Sequence, residues 1–333
     1  MGDVALTAPV IHSVLESHSN LEITFLSRGF FEPLFNKSNQ FKFKSADLKS
    51  KHKGVLGLRK LFKELKQEKF DAVIDLHDVL RTKILRSFFK LSGTPVFTID
   101  KGRSEKNNVV SKKKPLEELK HMQQRYLDVF GKAGIESKLK KDAFLSVKVD
   151  HKVFTFCQTL TEEKTIGIAP FAAHWTKEIG TDKLAKLVYY LTTERKFNIL
   201  LFGGGEKEKQ VLESFAKNYK NTQSIIGQFS FEQELMLMHK LDAMIAMDSG
   251  NMHLASLVNT KVVSIWTATH PYLGFSPYQN KKHYVQVSTT DLPCRPCTVY
   301  GKVKTKEQEE CAKKAIKNIT VEMIIEQVDL ILK

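Results

Sequence analysis

The sequence predicts an α/β protein made of two doubly wound, Rossmann-like domains. Three observations carry this. Short apolar runs alternate with amphipathic helical patterns, the signature of parallel strands covered by helices on both faces. The chain has 333 residues, more than one core ordinarily serves and about right for two. Apolar runs end abruptly in glycine-rich or small-residue turns before the next helix, as strands do in open α/β sheets.

The elements follow in order. Met1-Gly2-Asp3-Val4 reads as the turn that opens a doubly wound domain, and Thr7–Ser17 as the helix after it. The strand that ordinarily precedes such a turn, about five residues, is missing from the sequence. An in-frame apolar run upstream of Met1 is therefore expected. Candidate strands come next at Ile23–Leu26, Ala72–Leu76 and Val96–Ile99. Between the first two, Asn36–Phe70 carries eleven Lys/Arg against three Asp/Glu, with Val55, Leu58, Leu61, Phe62 and Leu65 at helical spacing. A basic amphipathic helix there suits a membrane surface or an anionic acceptor, or else a solvated face over a core stripe. Ser104–Pro115, with Lys112-Lys113-Lys114, reads as an exposed loop, and Asp142–His151 begins the crossover.

The domains are accordingly expected at 1–155 and 156–320. Strands of the second fall at Ile166–Ala169, Ile199–Phe202, Ala243–Met247 and Val262–Trp266, with helices at Lys183–Arg195 and Lys207–Tyr219. A last helix, Val321–Leu332 within 321–333, closes the chain; the sequence leaves open whether it packs back on the first domain.

Bulk properties narrow the function. A hydrophobic fraction of 42% is that of a globular protein, and no apolar run reaches the length of a membrane span. Nothing at the start reads as a signal peptide. With only four cysteines, a reducing cytoplasm is the simpler setting. The formal charge of +15 favours an anionic partner. No reader motif, zinc-finger spacing or RNP-like aromatic pattern supports nucleic acid as that partner.

Three strand exits carry candidate chemistry. Asp248-Ser249-Gly250-Asn251-Met252-His253-Leu254 follows an apolar strand and opens a helix, which places free N–H groups where phosphate binds. The Ser249 hydroxyl can cap that helix or meet a ligand oxygen, and Gly250 admits a bulky ligand. Gly203-Gly204-Gly205-Glu206 follows Ile199–Phe202; it is neither a dinucleotide fingerprint nor a P-loop. Pro170-Phe171-Ala172-Ala173-His174-Trp175-Thr176-Lys177 offers small residues and a lysine suited to a leaving phosphate. Exits of one parallel sheet gather at one edge, so the three together favour a nucleotide site. Cys294-x-x-Cys297, Cys311 and the upstream His283 invite a zinc reading, but the second ligand pair is incomplete. Pro293 and Pro296 point instead to a rigid turn with packed thiols, and no metal is expected.

In that order and spacing the motifs resemble the family 9 glycosyltransferases, the ADP-heptose:lipopolysaccharide heptosyltransferases. Pro170-x-Ala172…Lys177, the glycine turn, Asp248–Leu254 and Thr267-Ala268-Thr269-His270-Pro271 carry the resemblance. Gly2-Asp3-Val4 with Thr7-Ala8-Pro9, Phe70-Asp71-Ala72-Val73-Ile74-Asp75-Leu76-His77 and Leu292-Pro293-Cys294-Arg295-Pro296-Cys297 extend it over nearly the whole chain. The resemblance implies a GT-B fold, two Rossmann-like domains facing a cleft, with acceptor on the N-terminal domain and ADP-heptose on the C-terminal one. It implies an inverting, metal-independent transfer that needs no cofactor beyond the nucleotide-sugar donor. Asp3 then matches the general base and Lys177 the donor-contacting lysine. Asp248, Ser249, Gly250 and His253 match the donor loop, Gly204 and Gly205 the glycine turn, and Phe229 the adenine side. Ala172 and Ala173 stand where relatives can have threonine, which leaves only backbone contacts to phosphate. The expected acceptor is anionic and lipid-linked, so the enzyme is expected in the cytoplasm, peripheral at the inner membrane.

Overall fold

A computed structural model of the chain describes residues 1–280 and 282–333. The chain forms two compact units, one of Asp3–Gly102 with Lys120–Leu145 and one of Arg103–Leu119 with Ser146–Lys333.

The first unit opens with α1 (Gly2–Ser17), so the expected opening turn is already helix and Asp3 sits in its first turn. Residues 5–11 and 13–15 are all buried, so its middle turns are covered on every face rather than along one side. Strand β1 (Ile23–Ser27) pairs in parallel with β2 (Phe41–Ser45), Ile23 opposite Phe41. Helix α2 (Gly54–Lys66) follows, then β3 (Val73–Asp75), α3 (Leu80–Leu91) and β4 (Val96–Thr98). β3 and β4 form a second parallel pair, Val73 opposite Val96. In the doubly wound order the strand before the first helix lies between two such pairs. Among the described residues no strand takes that place. Leu58, Leu61 and Leu65 of α2 join Ala46 and Phe89 in this unit's core, and Phe62 meets Phe89 edge-on at 5.0 Å. Val55, grouped by spacing with that stripe, is instead 58% exposed beside Leu56 at 81%.

Between the unit's two segments runs α4 (Arg103–Val110), which belongs to the second unit. The exposed loop expected at 104–115 is thus mostly helix. Val109 is buried, and so is Lys106, whose ammonium lies 4.2 Å from the Phe275 ring centroid. That cation–π contact compensates a lysine that composition alone places in water. Helix α5 (Met122–Lys132) completes the first unit.

The second unit continues with α6 (His151–Cys157), β5 (Thr165–Ala169), α7 (Thr181–Thr193), β6 (Asn198–Leu201), α8 (Glu206–Asn218) and β7 (Thr222–Ser224). It goes on through α9 (Phe231–His239), β8 (Ala243–Met247), α10 (Gly250–Leu257), β9 (Val262–Trp266) and β10 (Tyr284–Gln286). Helices α11 (Lys306–Asn318) and α12 (Val321–Leu332) end it. The six strands are all parallel, in the order β10-β9-β8-β5-β6-β7. This is the Rossmann order, and it reverses between β5 and β8. Every residue of β8 and β9 is buried, as expected for strands covered on both faces. Gly167 in β5 lets the neighbouring side chains close in: a Cβ there would force Leu241 Cδ1 and Met244 Sδ to shift. The last helix packs on this unit's own core through Val321, Ile324, Val328 and Ile331.

Candidate active site

In the first unit, Asp75 builds a tight turn. Its Oδ1 accepts from the His77 and Asp78 N–H groups at 2.9 Å each, and Arg86 donates to its Oδ2 at 3.0 Å. That turn presents His77, whose Nε2 lies 3.8 Å from Asp3 Oδ2. Lys101 Nζ lies 3.7 Å from the same oxygen. Asp3 itself is half exposed, and its carbonyl accepts from the Thr7 hydroxyl at 2.8 Å, so the first helical turn holds its backbone. Burial lowers the His77 pKa and the Lys101 charge lowers it further; Asp3 and Asp75 oppose the shift.

In the second unit the exits of β5 and β8 flank the switch point. Lys177 ends a single 3-10 turn, Trp175–Lys177, and its Nζ lies 2.8 Å from Asp248 Oδ2. The Thr269 hydroxyl donates to that oxygen at 2.7 Å. Asp248 is therefore committed to side-chain partners, and the N-cap position of α10 falls to Ser249. Ser249 does not cap with its side chain, and its Oγ is buried without a hydrogen-bond partner among the described residues. A buried hydroxyl left unsatisfied costs about 1–3 kcal/mol, so a ligand oxygen is its natural partner. Gly250 starts the helix, and His253 is buried on its next turn.

The neighbouring exits differ from expectation in one respect. The Ala172 N–H, anticipated as a phosphate donor, donates to Glu178 Oε1 at 3.0 Å. The Gly204 N–H likewise donates to Glu208 Oε2 at 2.8 Å. Burial raises the Glu178 pKa, the Ala172 N–H partly offsets it, and the Glu208 charge adds to it. Ala173 is exposed beside this pair. Gly205 caps α8 with φ +86, a conformation that favours glycine. The Phe229 ring lies edge-to-face with Phe156 at 5.0 Å and is covered by Lys152 Nζ at 4.8 Å.

The loop that supplies Thr269 is held from behind. Arg295, 1% exposed, donates to the carbonyls of Thr267 (2.6 Å), Trp266 (2.8 Å), Thr269 (2.8 Å) and Val287, and to Gln286 Oε1 at 3.3 Å. Burial brings its pKa down to about 10. Thr267 and Ala268 both donate to the Thr176 carbonyl, which ties this loop to the turn bearing Lys177. Cys294, next to Arg295, is disulfide-bonded to Cys311. The expectation of packed thiols therefore holds for Cys297 alone, a buried thiol whose pKa burial pushes up to about 11. Two of the three thiols among the candidate zinc ligands are thus bonded to each other.

Lys177, Asp248, Ser249 and Gly250 come together as the sequence suggested, with Ala172, Ala173, Gly204 and Gly205 at the same sheet edge. Thr269, Arg295, His77, Glu178 and Glu208 gained no role from sequence. The first three lie inside quoted motifs, whereas nothing in the sequence marks the two glutamates.

A Rossmann-order sheet with a lysine–carboxylate pair and an unsatisfied serine at its switch point defines an open α/β protein with a candidate ligand site at the carboxyl edge of its sheet. Residues 58–307 match the family model of glycosyltransferase family 9 (heptosyltransferase), and the chain belongs to that family of enzymes. It is 24% identical over 345 residues to lipooligosaccharide heptosyltransferase 2 of Campylobacter jejuni, covering 100% of this chain and 96% of that protein. Its α/β fold, of the GT-B type, matches the glycosyl transferase family 9 structure from Veillonella parvula with a TM-score of 0.74 at 18% identity, covering 99% of this chain and 94% of that one. It also matches the E. coli ADP-heptose lps heptosyltransferase II with a TM-score of 0.68 at 15% identity, covering 98% and 94%.

Proposed function

We propose that this enzyme transfers heptose from ADP-heptose to the inner core of lipopolysaccharide, with inversion at the anomeric carbon and without a metal ion or other cofactor. The observation that carries the reading is the cluster at the switch point: Lys177 on Asp248, Thr269 on the same carboxylate, and the unpartnered Ser249 hydroxyl at a helix start. An ammonium has three N–H donors, so Lys177 can keep Asp248 and still meet a diphosphate oxygen. Ser249 and the Gly250 N–H bind phosphate at the start of α10. Asp248 and His253 take sugar hydroxyls, and Gly204, Gly205 and Phe229 the adenosine side, with Ala172 and Ala173 lining the phosphate. Asp3 takes the proton of the acceptor hydroxyl as the new C–O bond forms, and ADP leaves with the electron pair of the old one. Lys177 offsets the charge that grows on the leaving diphosphate. Relatives named for lipooligosaccharide and lipopolysaccharide heptosyl transfer support the acceptor class. No helix among the described residues is long and apolar enough to cross a membrane. The reading adds a cytoplasmic enzyme in peripheral contact with the inner membrane, where a lipid-linked, phosphorylated acceptor lies.

A second reading keeps the fold and the family and takes another nucleotide-sugar, because one fold hosts several donor specificities. A thermal-shift screen of ADP-, UDP- and GDP-sugars separates the two, followed by ADP release with a lipid acceptor in the presence of EDTA and NMR assignment of the product anomer. Preference for UDP- or GDP-sugars, loss of turnover in EDTA, or a retained anomer each removes the corresponding part of the proposal.

A further inference from the structure

Around Asp3 the first unit gathers more proton chemistry than a lone base requires. Asp3 Oδ2 has His77 Nε2 at 3.8 Å on one side and Lys101 Nζ at 3.7 Å on the other. The His77 side chain is 51% exposed, so its ring joins the carboxylate to solvent, whereas the Lys101 side chain is only 12% exposed. The Asp75 carboxylate, anchored by Arg86, pins the turn that carries His77.

The geometry points to His77 as the second member of a proton relay: Asp3 takes the acceptor proton, His77 takes it from Asp3, and water takes it from His77. The inference rests on the reading of Asp3 as the base. The proton inventory closes. The acceptor O–H breaks as the C–O bond forms, ADP departs with its electron pair, the Asp3 carboxyl passes the proton to the imidazole, and the imidazolium releases it to solvent. A bridging water or a small side-chain rotation spans 3.8 Å.

The surroundings suit a relay that works at neutral pH. His77 faces Asp3 on α1, Asp75 on β3, Arg81 on α3 and Lys101 beyond β4. Asp3 also has the Met1 α-amino group nearby. Burial and the two cations lower the His77 pKa below the usual histidine value, so the ring is neutral and able to accept a proton at pH 7.

The test is kcat against pH for the wild type, Asp3→Asn, His77→Gln and His77→Ala, with folding of each verified by thermal melt. The wild-type kcat should fall on the acid side as His77 protonates. His77→Gln should lose about ten- to hundredfold in kcat with little change in donor KM and should lack that inflection. Added imidazole should restore part of the rate to His77→Ala. If His77→Gln keeps the wild-type rate and profile while Asp3→Asn is inactive, the relay is wrong and the base stands. A slow His77→Gln with the inflection retained, or no imidazole rescue, reduces His77 to a structural role and also overturns the relay. Full activity in Asp3→Asn removes the base reading itself.

Discussion

Lys177 Nζ lies 2.8 Å from Asp248 Oδ2, and the two side chains are only 14% and 10% exposed. Losing one partner of so shielded a pair leaves an uncompensated charge, at a cost on the order of 3 kcal/mol. Asp248→Leu should therefore lower the urea midpoint sharply, and the double variant Lys177→Met/Asp248→Leu should recover most of the loss. Activity should behave differently. Lys177→Met should lose about a hundredfold in kcat, and the double variant should not regain it. Equal instability in the single and double variants would show that the two charges are not coupled.

Arg295 makes a separate prediction because it acts through carbonyl groups. Its guanidinium fixes the backbone of the loop whose Thr269 hydroxyl reaches Asp248. Lysine keeps the charge but cannot span four carbonyls, and each buried carbonyl left unmet costs about 1–3 kcal/mol. Arg295→Lys should thus melt at a lower temperature and bind donor about tenfold more weakly, about 1.4 kcal/mol, with kcat changed less than KM. An unaltered donor KM in a destabilised variant would confine Arg295 to stability.

How far these residues could be foreseen depends on the range of their interactions. The buried strands around the switch point were legible, because runs such as Ala243–Met247 are apolar throughout and end at a break in pattern. Phe41–Ser45 was not: phenylalanine alternates there with lysine inside a basic stretch, and a parallel partner at Ile23–Ser27 makes it a strand. Short strands such as Thr222–Ser224 and Tyr284–Gln286 carry too few residues for a period to emerge. The helix at Arg103–Val110 was hidden because its buried lysine depends on Phe275, far along the chain. Likewise Lys177 and Asp248 were visible as residues of two loops, but Thr269 as their shared partner and Arg295 as its support arise from long-range packing.

His270 predicts a pH dependence of stability. Burial, aided by the charges of Arg295 and Lys112, takes its pKa down to about 3, while its Nδ1 accepts from the Tyr272 N–H at 3.1 Å. The folded pKa lies below the ordinary histidine value, so between them the unfolded chain binds more protons. Stability then rises with pH, and it is lost as pH falls from about 6.5 toward 3. His270→Asn keeps an N-cap acceptor without a titrating ring. In urea melts between pH 4 and 7 it should show a shallower dependence than the wild type. Parallel slopes would assign the acid sensitivity elsewhere.

The cysteines give a count that any preparation can check. With Cys294 bonded to Cys311, Cys157 and Cys297 are free. A thiol titration in denaturant should find two thiols per chain without reductant and four after reduction. The bond closes a separation of 17 residues, for which the chain-entropy estimate is about 3 kcal/mol. Reduction, or Cys311→Ser, should therefore lower the melting temperature. Four thiols in unreduced protein would mean that the bond is absent.

The start of α2 is where contact with a membrane surface is best tested. Val55 and Leu56 project at 58% and 81% exposure, and Lys49, Lys51, Lys53, Arg59 and Lys60 around them are exposed. Inserting two such side chains contributes at most about 1.5–3 kcal/mol each, and a lysine near an anionic leaflet about 1 kcal/mol. Neither term alone holds a protein on a bilayer, but together they suffice for reversible binding that salt can undo. The chain should float with vesicles containing phosphatidylglycerol at low salt and come off at high salt. It should bind phosphatidylcholine vesicles weakly, and the Val55→Ser/Leu56→Ser variant should lose binding even at low salt. Because Val55 and Leu56 take no part in the contacts of Asp3 or Lys177, that variant should still turn over a detergent-solubilised acceptor at the wild-type rate. Flotation that ignores both the serine pair and lipid charge would place the membrane contact on another surface.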